Sequence, residues 1–189
     1  MRRLKERILE EGKIINNDII KVDSFINHQI DVSFIKEFAQ KVKQHFADKK
    51  VDKILTIEAS GIAIAFAVAE AFGDIPLVFA KKSKSKTVDN NVYTTHIKSF
   101  TRDLDSLVTV SNKYLKENEN ILIVDDFLAE GNASMGLIDL ANQAKANVIG
   151  VAVMIEKSFQ GGRAKLEEKG IKVYSGAIIK AFKDNKPIF

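Results

Sequence analysis

Three runs in this chain are apolar at almost every residue: KILTI from Lys53, NILIV from Asn120, which continues into Asp125 and Asp126, and VIGVAVMI from Val148. A strand with one wet face alternates apolar and polar side chains. Unbroken apolar runs therefore read as strands covered on both faces, the condition of a parallel sheet flanked by helices. Helical stretches separate them: GIAIAFAVAEAFG from Gly61, ahead of a strand PLVFA from Pro76, and a helix from about Asn132 to Ala146 that opens after Gly131. Strand, helix, strand, met twice, predicts a doubly wound, mainly parallel α/β sheet whose ligand lies beyond the carboxyl ends of the strands.

The other segments fill out a single domain, which is what 189 residues support. MRRLKERILEEG is spaced as an amphipathic helix with Leu4, Ile8 and Leu9 on one side, and a second helix runs from Ser33, as its N-cap, through Phe34, Phe38, Val42 and Phe46. Residues 13–30 and 176–189 mix short apolar and polar stretches and are expected to cap the sheet as a small hood. From Lys81 to Arg102 the chain is polar and lysine-rich, with Asp89, Asn90 and Asn91 before VYTTHIKSF, a turn and then a strand. An excursion of that kind reads as a lid, with a solvated hairpin as the plain alternative.

Composition narrows the chemistry. Cysteine is absent, which removes disulfides, thiolate metal sites and cysteine nucleophiles and suits a reducing compartment, the cytoplasm. The net charge is +4, and Lys81, Lys82, Lys84 and Lys86 concentrate positive charge in one place, which asks for an anionic partner. The charged start is unlike a signal peptide. The longest low-charge run, Ala59 to Ala69, falls short of the ~17 residues of a membrane span, so a protein neither exported nor membrane-bound is expected.

The sharpest feature is Ile121 to Ser134, ILIVDDFLAEGNAS. A buried strand delivers Asp125 and Asp126 to its end, and a short loop with Gly131 leads into a helix whose first free N–H groups face the same crevice. Those amides and the helix dipole suit a phosphate. The two carboxylates accept from vicinal hydroxyls or organise a magnesium ion. A sugar phosphate satisfies both halves, while one helix cap beside one exposed loop charge is the plain alternative. Receiver domains share the paired acids but run on for about 120 residues from them, more than remain here. Neither G-x-x-x-x-G-K-[ST] nor G-x-G-x-x-G is present, and Ser134 is out of register with G-x-S-x-G and inside the helix.

The string ILIVDDFLAEGNA resembles the phosphoribosyl-pyrophosphate signature of type I phosphoribosyltransferases. KVDSFINHQID, the IEASGIA turn, YTTHIKSFT and IEKSFQGGR extend the resemblance over essentially the whole chain and narrow it to the purine members of that family that act on xanthine. The resemblance implies a purine-salvage reaction. Xanthine N9 is joined to C1 of the ribose of 5-phosphoribosyl 1-pyrophosphate, giving xanthosine 5′-monophosphate, and pyrophosphate departs with magnesium bound to it. An oxocarbenium-like transition state of this kind asks for positioning and electrostatic stabilisation rather than a nucleophile. The resemblance further implies a homodimer. It assigns the 5′-phosphate to Ala129, Glu130, Gly131, Asn132 and Ala133, and the ribose hydroxyls to Asp125 and Asp126, the catalytic pair. The pyrophosphate goes to the backbone amides of Ala59, Ser60 and Gly61, with Lys81 and Lys82 as counter-charges. Asn27 and Ile20 match a polar and an apolar base-contacting position.

Base choice follows from donors and acceptors. A 6-oxopurine presents an acceptor where adenine presents a donor, so an ammonium rewards the first and rejects the second. Lys157, just past VIGVAVMI, is expected to be that reader, against the alternative of a surface lysine beside Glu156. Phe159 either stacks on the purine or belongs to the core. Ala133 stands where many relatives carry Thr or Ser, leaving backbone amides to hold the phosphate. Glu130 puts an acid in the anion loop, tolerable if it turns outward. No carboxylate stands at Ala129, so no general base is named. Hypoxanthine, guanine or adenine are alternative bases. A non-catalytic sensor of phosphoribosyl pyrophosphate that binds nucleic acid through the lysine cluster is a further alternative, against which stand the modest charge and the lack of an added helix-turn-helix domain.

Overall fold

The structure is a computed structural model that describes residues 1–83, 91–98 and 105–189. Lys84, Lys86, Asp89, Asn90 and Arg102 of the expected lid lie outside the described residues. In chain order come α1 (Arg2–Glu11), a hairpin of β1 (Lys13–Ile15) and β2 (Ile19–Lys21), a π-helical turn Asp23–Asn27, α2 (Val32–His45), β3 (Lys53–Ile57), α3 (Gly61–Ala71), β4 (Leu77–Ser83), β5 (Val92–Lys98), β6 (Asp105–Ser111), β7 (Asn120–Leu128), α4 (Asn132–Gln143), β8 (Asn147–Lys157), α5 (Gly162–Glu167), β9 (Val173–Ile179) and a hairpin of β10 (Ala181–Lys183) and β11 (Lys186–Ile188).

Seven strands form the central sheet in the order β5-β6-β4-β3-β7-β8-β9. From β4 to β9 neighbours run parallel, whereas β6 joins β4 and β5 joins β6 antiparallel. All five residues of β3 are buried, as an apolar run covered on both faces demands. One face packs Ile54, Leu122 and Val124 against Ile64 and Val68 of α3 and Phe38 and Val42 of α2. The other sets Leu55, Ile121, Ile123 and Val153 under Leu137, Leu140 and Ala141 of α4. No helix among the described residues is long and apolar enough to cross a membrane.

Four local expectations are corrected. The N-cap of α2 is Asp31, not Ser33: its carboxylate accepts from the Phe34 N–H at 3.1 Å and from the Ser33 hydroxyl at 2.8 Å. On α1, Leu4 and Ile8 are buried but Leu9 is 57% exposed, because its position has turned past the inward stripe. The C-terminal segment is not all hood, since Val173–Ile179 is the edge strand of the central sheet. The ends of the polar excursion are likewise sheet, as β4 runs on to Ser83 and β5 pairs along its length with β6.

The two small hairpins are clasped at their tips. The Asn17 N–H donates to Asn185 Oδ1 at 3.2 Å, and the Asn185 N–H donates to Asn17 Oδ1 at 2.7 Å. Both turns use left-handed residues, Asn16 and Asn17 in one and Asp184 and Asn185 in the other, residue types that tolerate that conformation. Behind the first hairpin, Val22, Phe25 and Ile26 enter the core beside Phe34 and Phe38.

Candidate active site

The carboxyl ends of β3, β4 and β7 open on a crevice of about 520 Å³. Ile57, Glu58 and Ser60 line it from the end of β3 and Lys82 from β4; Asp125, Asp126 and Phe127 come from β7. The loop and first turn of α4 supply Ala129, Glu130, Gly131, Asn132, Ala133 and Ser134, and Ile97, Lys98 and Ser106 arrive from the antiparallel strands. The paired acids and the opening of α4 thus share one cavity.

Gly131 is the N-cap of α4 at φ 85°, a conformation glycine adopts without cost. It also lies flat against Gly162, whose Cα would be 3.2 Å from a Cβ added at residue 131. With no side-chain cap on α4, its first amides stay available to an anion. Ala133 brings no hydroxyl, but Ser134, the next residue, is buried and lines the crevice. Sequence reasoning passed over Ser134 because it weighed it only as a nucleophile.

Asp125 is 4% exposed. Burial pushes its carboxyl well above the usual range, and the negative charge of Asp126 adds to the shift. The Asp126 N–H, donating to Asp125 Oδ1 at 2.9 Å, and the charge of Lys82 act the other way. Asp126 in turn accepts the Phe127 N–H at 2.9 Å. Asp125 fits only because residue 61 is glycine, since a Cβ there would stand 2.9 Å from Asp125 Oδ1 and overlap Thr56 Oγ1. Gly61 itself is therefore a support for the pair rather than part of the lining.

Lys82 lines the crevice and its N–H donates to Glu58 Oε1 at 2.6 Å. Lys81 does not line it. Successive residues of a strand point to opposite faces, and the Lys81 ammonium lies 5.9 Å from the Phe79 ring centre instead. Glu130 has not turned wholly away: it lines the crevice, and its carboxylate accepts from Asn132 Nδ2 at 3.0 Å.

The residues expected at the base lie beside the crevice, not in its lining. Register sets Leu128 opposite Glu156, so Lys157 follows where the loop into α4 begins. Lys157 is 6% exposed, which corrects the surface alternative. Its ammonium donates to the Asp18 carbonyl at 3.2 Å and stands 3.9 Å from the Asp18 carboxylate. Burial pulls its pKa down, against the opposing charges of Asp18 and Glu130. Gln160 also reaches Asp18, at 3.3 Å. Ile20 is buried in the hairpin that carries Asp18, and Asn27 is exposed in the π-helical turn. Phe159 is 44% exposed and meets Phe182 edge-on at 5.6 Å, so it is not a core residue. Phe127, half-buried and lining the crevice from the end of β7, was missed; its signal was an aromatic two residues beyond a strand-end acid.

Comparison with known proteins agrees with this geometry. The phosphoribosyl transferase domain family matches residues 22–186. The chain is 53% identical over 181 residues to the xanthine phosphoribosyltransferase of Clostridioides difficile, covering 96% of this chain and 95% of that one. It is 49% identical over 189 residues to xanthine phosphoribosyltransferase 1 of Clostridium perfringens, covering both completely (100% and 100%). Among solved structures, the adenine phosphoribosyltransferase of Saccharomyces cerevisiae superposes with a TM-score of 0.74 at 20% identity, over 94% of this chain and 100% of that one. The Trypanosoma brucei enzyme of that name gives 0.77 at 14% identity, over 97% and 82%. At such identity the likeness is one of fold.

Proposed function

The chain belongs to the phosphoribosyl transferase domain family, and on that premise we propose that it transfers a phosphoribosyl group from 5-phosphoribosyl 1-pyrophosphate to xanthine, releasing pyrophosphate. The observation that carries the reading is the shared cavity of Asp125, Asp126 and the uncapped start of α4. A phosphate held by the amides of residues 129–133 leaves the ribose hydroxyls within reach of the paired carboxylates. Ser60 and its neighbouring amides, with Lys82, then face the pyrophosphate.

The chemistry these residues supply is positional. Asp125 and Asp126 hold the ribose as positive charge grows at C1, and Lys82 offsets negative charge on the departing pyrophosphate. Among the described residues no three His, Asp or Glu side chains converge on a point that could cage a metal. That fits magnesium, which keeps most of its waters and binds through substrate phosphates with one or two carboxylates. Asp125, Asp126, Glu58 and Glu130 are the carboxylates that line the crevice. Bound there, magnesium would neutralise the pyrophosphate.

Xanthine is favoured by the names of the full-length relatives and by Lys157, a donor-only group beside the phosphate loop. We also propose a homodimer working in the cytoplasm. Phe66 on α3, 66% exposed, and Phe79 on β4, 39% exposed, are apolar surface that a second copy would cover. Sedimentation would show one species of twice the chain mass.

The deciding experiment measures pyrophosphate release with xanthine, guanine, hypoxanthine and adenine. The highest kcat/KM is expected for xanthine and the lowest for adenine; a preference for adenine would overturn the role of Lys157.

A further inference from the structure

We propose that Lys165 is a positioning residue for the phosphate loop, acting through α5; the proposal rests on the functional reading above. Two consecutive carbonyls of that loop are held by α5. The Gly162 N–H donates to the Ala129 carbonyl at 3.0 Å, and the Lys165 ammonium donates to the Glu130 carbonyl at 3.0 Å. In a trans peptide the C=O and the following N–H point in opposite directions. Drawing these two carbonyls toward α5 therefore turns the N–H groups of Glu130 and Gly131 away from it, toward the crevice those residues line.

Helix α5 is itself anchored. Arg163 makes two parallel hydrogen bonds to the buried carboxylate of Glu156, at 2.9 and 2.6 Å, and Ser175 donates to the same carboxylate at 2.5 Å. Glu156 directly precedes Lys157. The brace runs from the strand that carries the base reader, through Arg163, to the backbone that faces the phosphate. Gly162 permits the contact, because a Cβ there would overlap the Ala129 carbonyl and stand 2.8 Å from the Gly131 nitrogen.

Initial rates with each substrate varied at a saturating level of the other test this. Lys165→Met keeps the aliphatic stem and removes the donor, and is expected to raise KM for phosphoribosyl pyrophosphate about 10-fold, with kcat and the xanthine KM within about 2-fold. Lys165→Arg keeps a donor and is expected to return that KM to the level of the unchanged chain. A Lys165→Met enzyme with unaltered KM for phosphoribosyl pyrophosphate would overturn the proposal, as would an Arg variant no better than Met. Calorimetric titration with phosphoribosyl pyrophosphate separates the levels. Binding by the unchanged chain and equally by Lys165→Met defeats this inference alone, whereas no binding by the unchanged chain defeats the functional reading and this inference with it.

Discussion

The backbone N–H of Asp126 donates to Oδ1 of Asp125 at 2.9 Å, setting one acid of the pair to steady the other against burial and like charge. Asp125 carries a raised pKa, so its contribution to stability is present below its unfolded value of ~4 and is lost as pH rises through the folded value. Asp125→Asn is accordingly expected to resist urea better than the unchanged chain near neutral pH. The gain should shrink toward roughly pH 4, while turnover falls about 100-fold. Urea titrations at several pH values and steady-state rates check both; an Asn variant less stable at neutral pH would refute the argument.

Gly61 is the small residue that lets Asp125 sit where it does. Gly61→Ala is expected to leave circular dichroism unchanged while lowering kcat by at least about 10-fold, because the methyl meets Thr56 and Asp125 and displaces the carboxylate. Normal turnover in a folded Ala variant would show that the position of Asp125 does not matter.

Lys157 is buried beside Asp18. Lys157→Leu should cut kcat/KM for xanthine about 100-fold, the order of a hydrogen bond to a charged group. Thermal denaturation should shift little, since an apolar side chain replaces a partly desolvated ammonium. Equal losses of activity and stability would mark Lys157 as structural.

Arg163→Met leaves the Glu156 carboxylate, 1% exposed, without its guanidinium. Breaking a buried pair from one side costs about 3 kcal/mol. Urea titration should show that loss, and adding Glu156→Gln should recover part of it.

Asp31 caps α2 and pairs with Arg7 of α1 at 3.0 Å. Asp31→Ala is expected to cost about 1 kcal/mol. Ser33 and the Phe34 amide hold the Asp31 pKa below the usual carboxylate range, so its contribution stands above ~pH 4 and fades as pH falls through the folded value. Variant and unchanged chain should converge in acid.

Much of the fold is legible along the chain because β3, β7 and β8 are buried on both faces, and continuous apolar runs record that directly. The acids and the glycine loop are local to one strand end, so Asp125, Asp126 and residues 129–133 could be read together. What escaped depends on partners far away in sequence. Lys81 and Lys82 look alike until pairing with Thr109 and Val108 assigns their faces. Ile97, Lys98 and Ser106 reach the crevice only because β5 and β6 fold back antiparallel beside β4. Asp31 and Ser33 are both good caps in composition, and only geometry separates them.

The clasp between Asn17 and Asn185 joins residues 168 positions apart. During synthesis the loop from β7 into α4 gains its full set of contacts only once α5 has followed α4 from the ribosome, and the buckle between the two hairpins waits longer still, for β10 and β11.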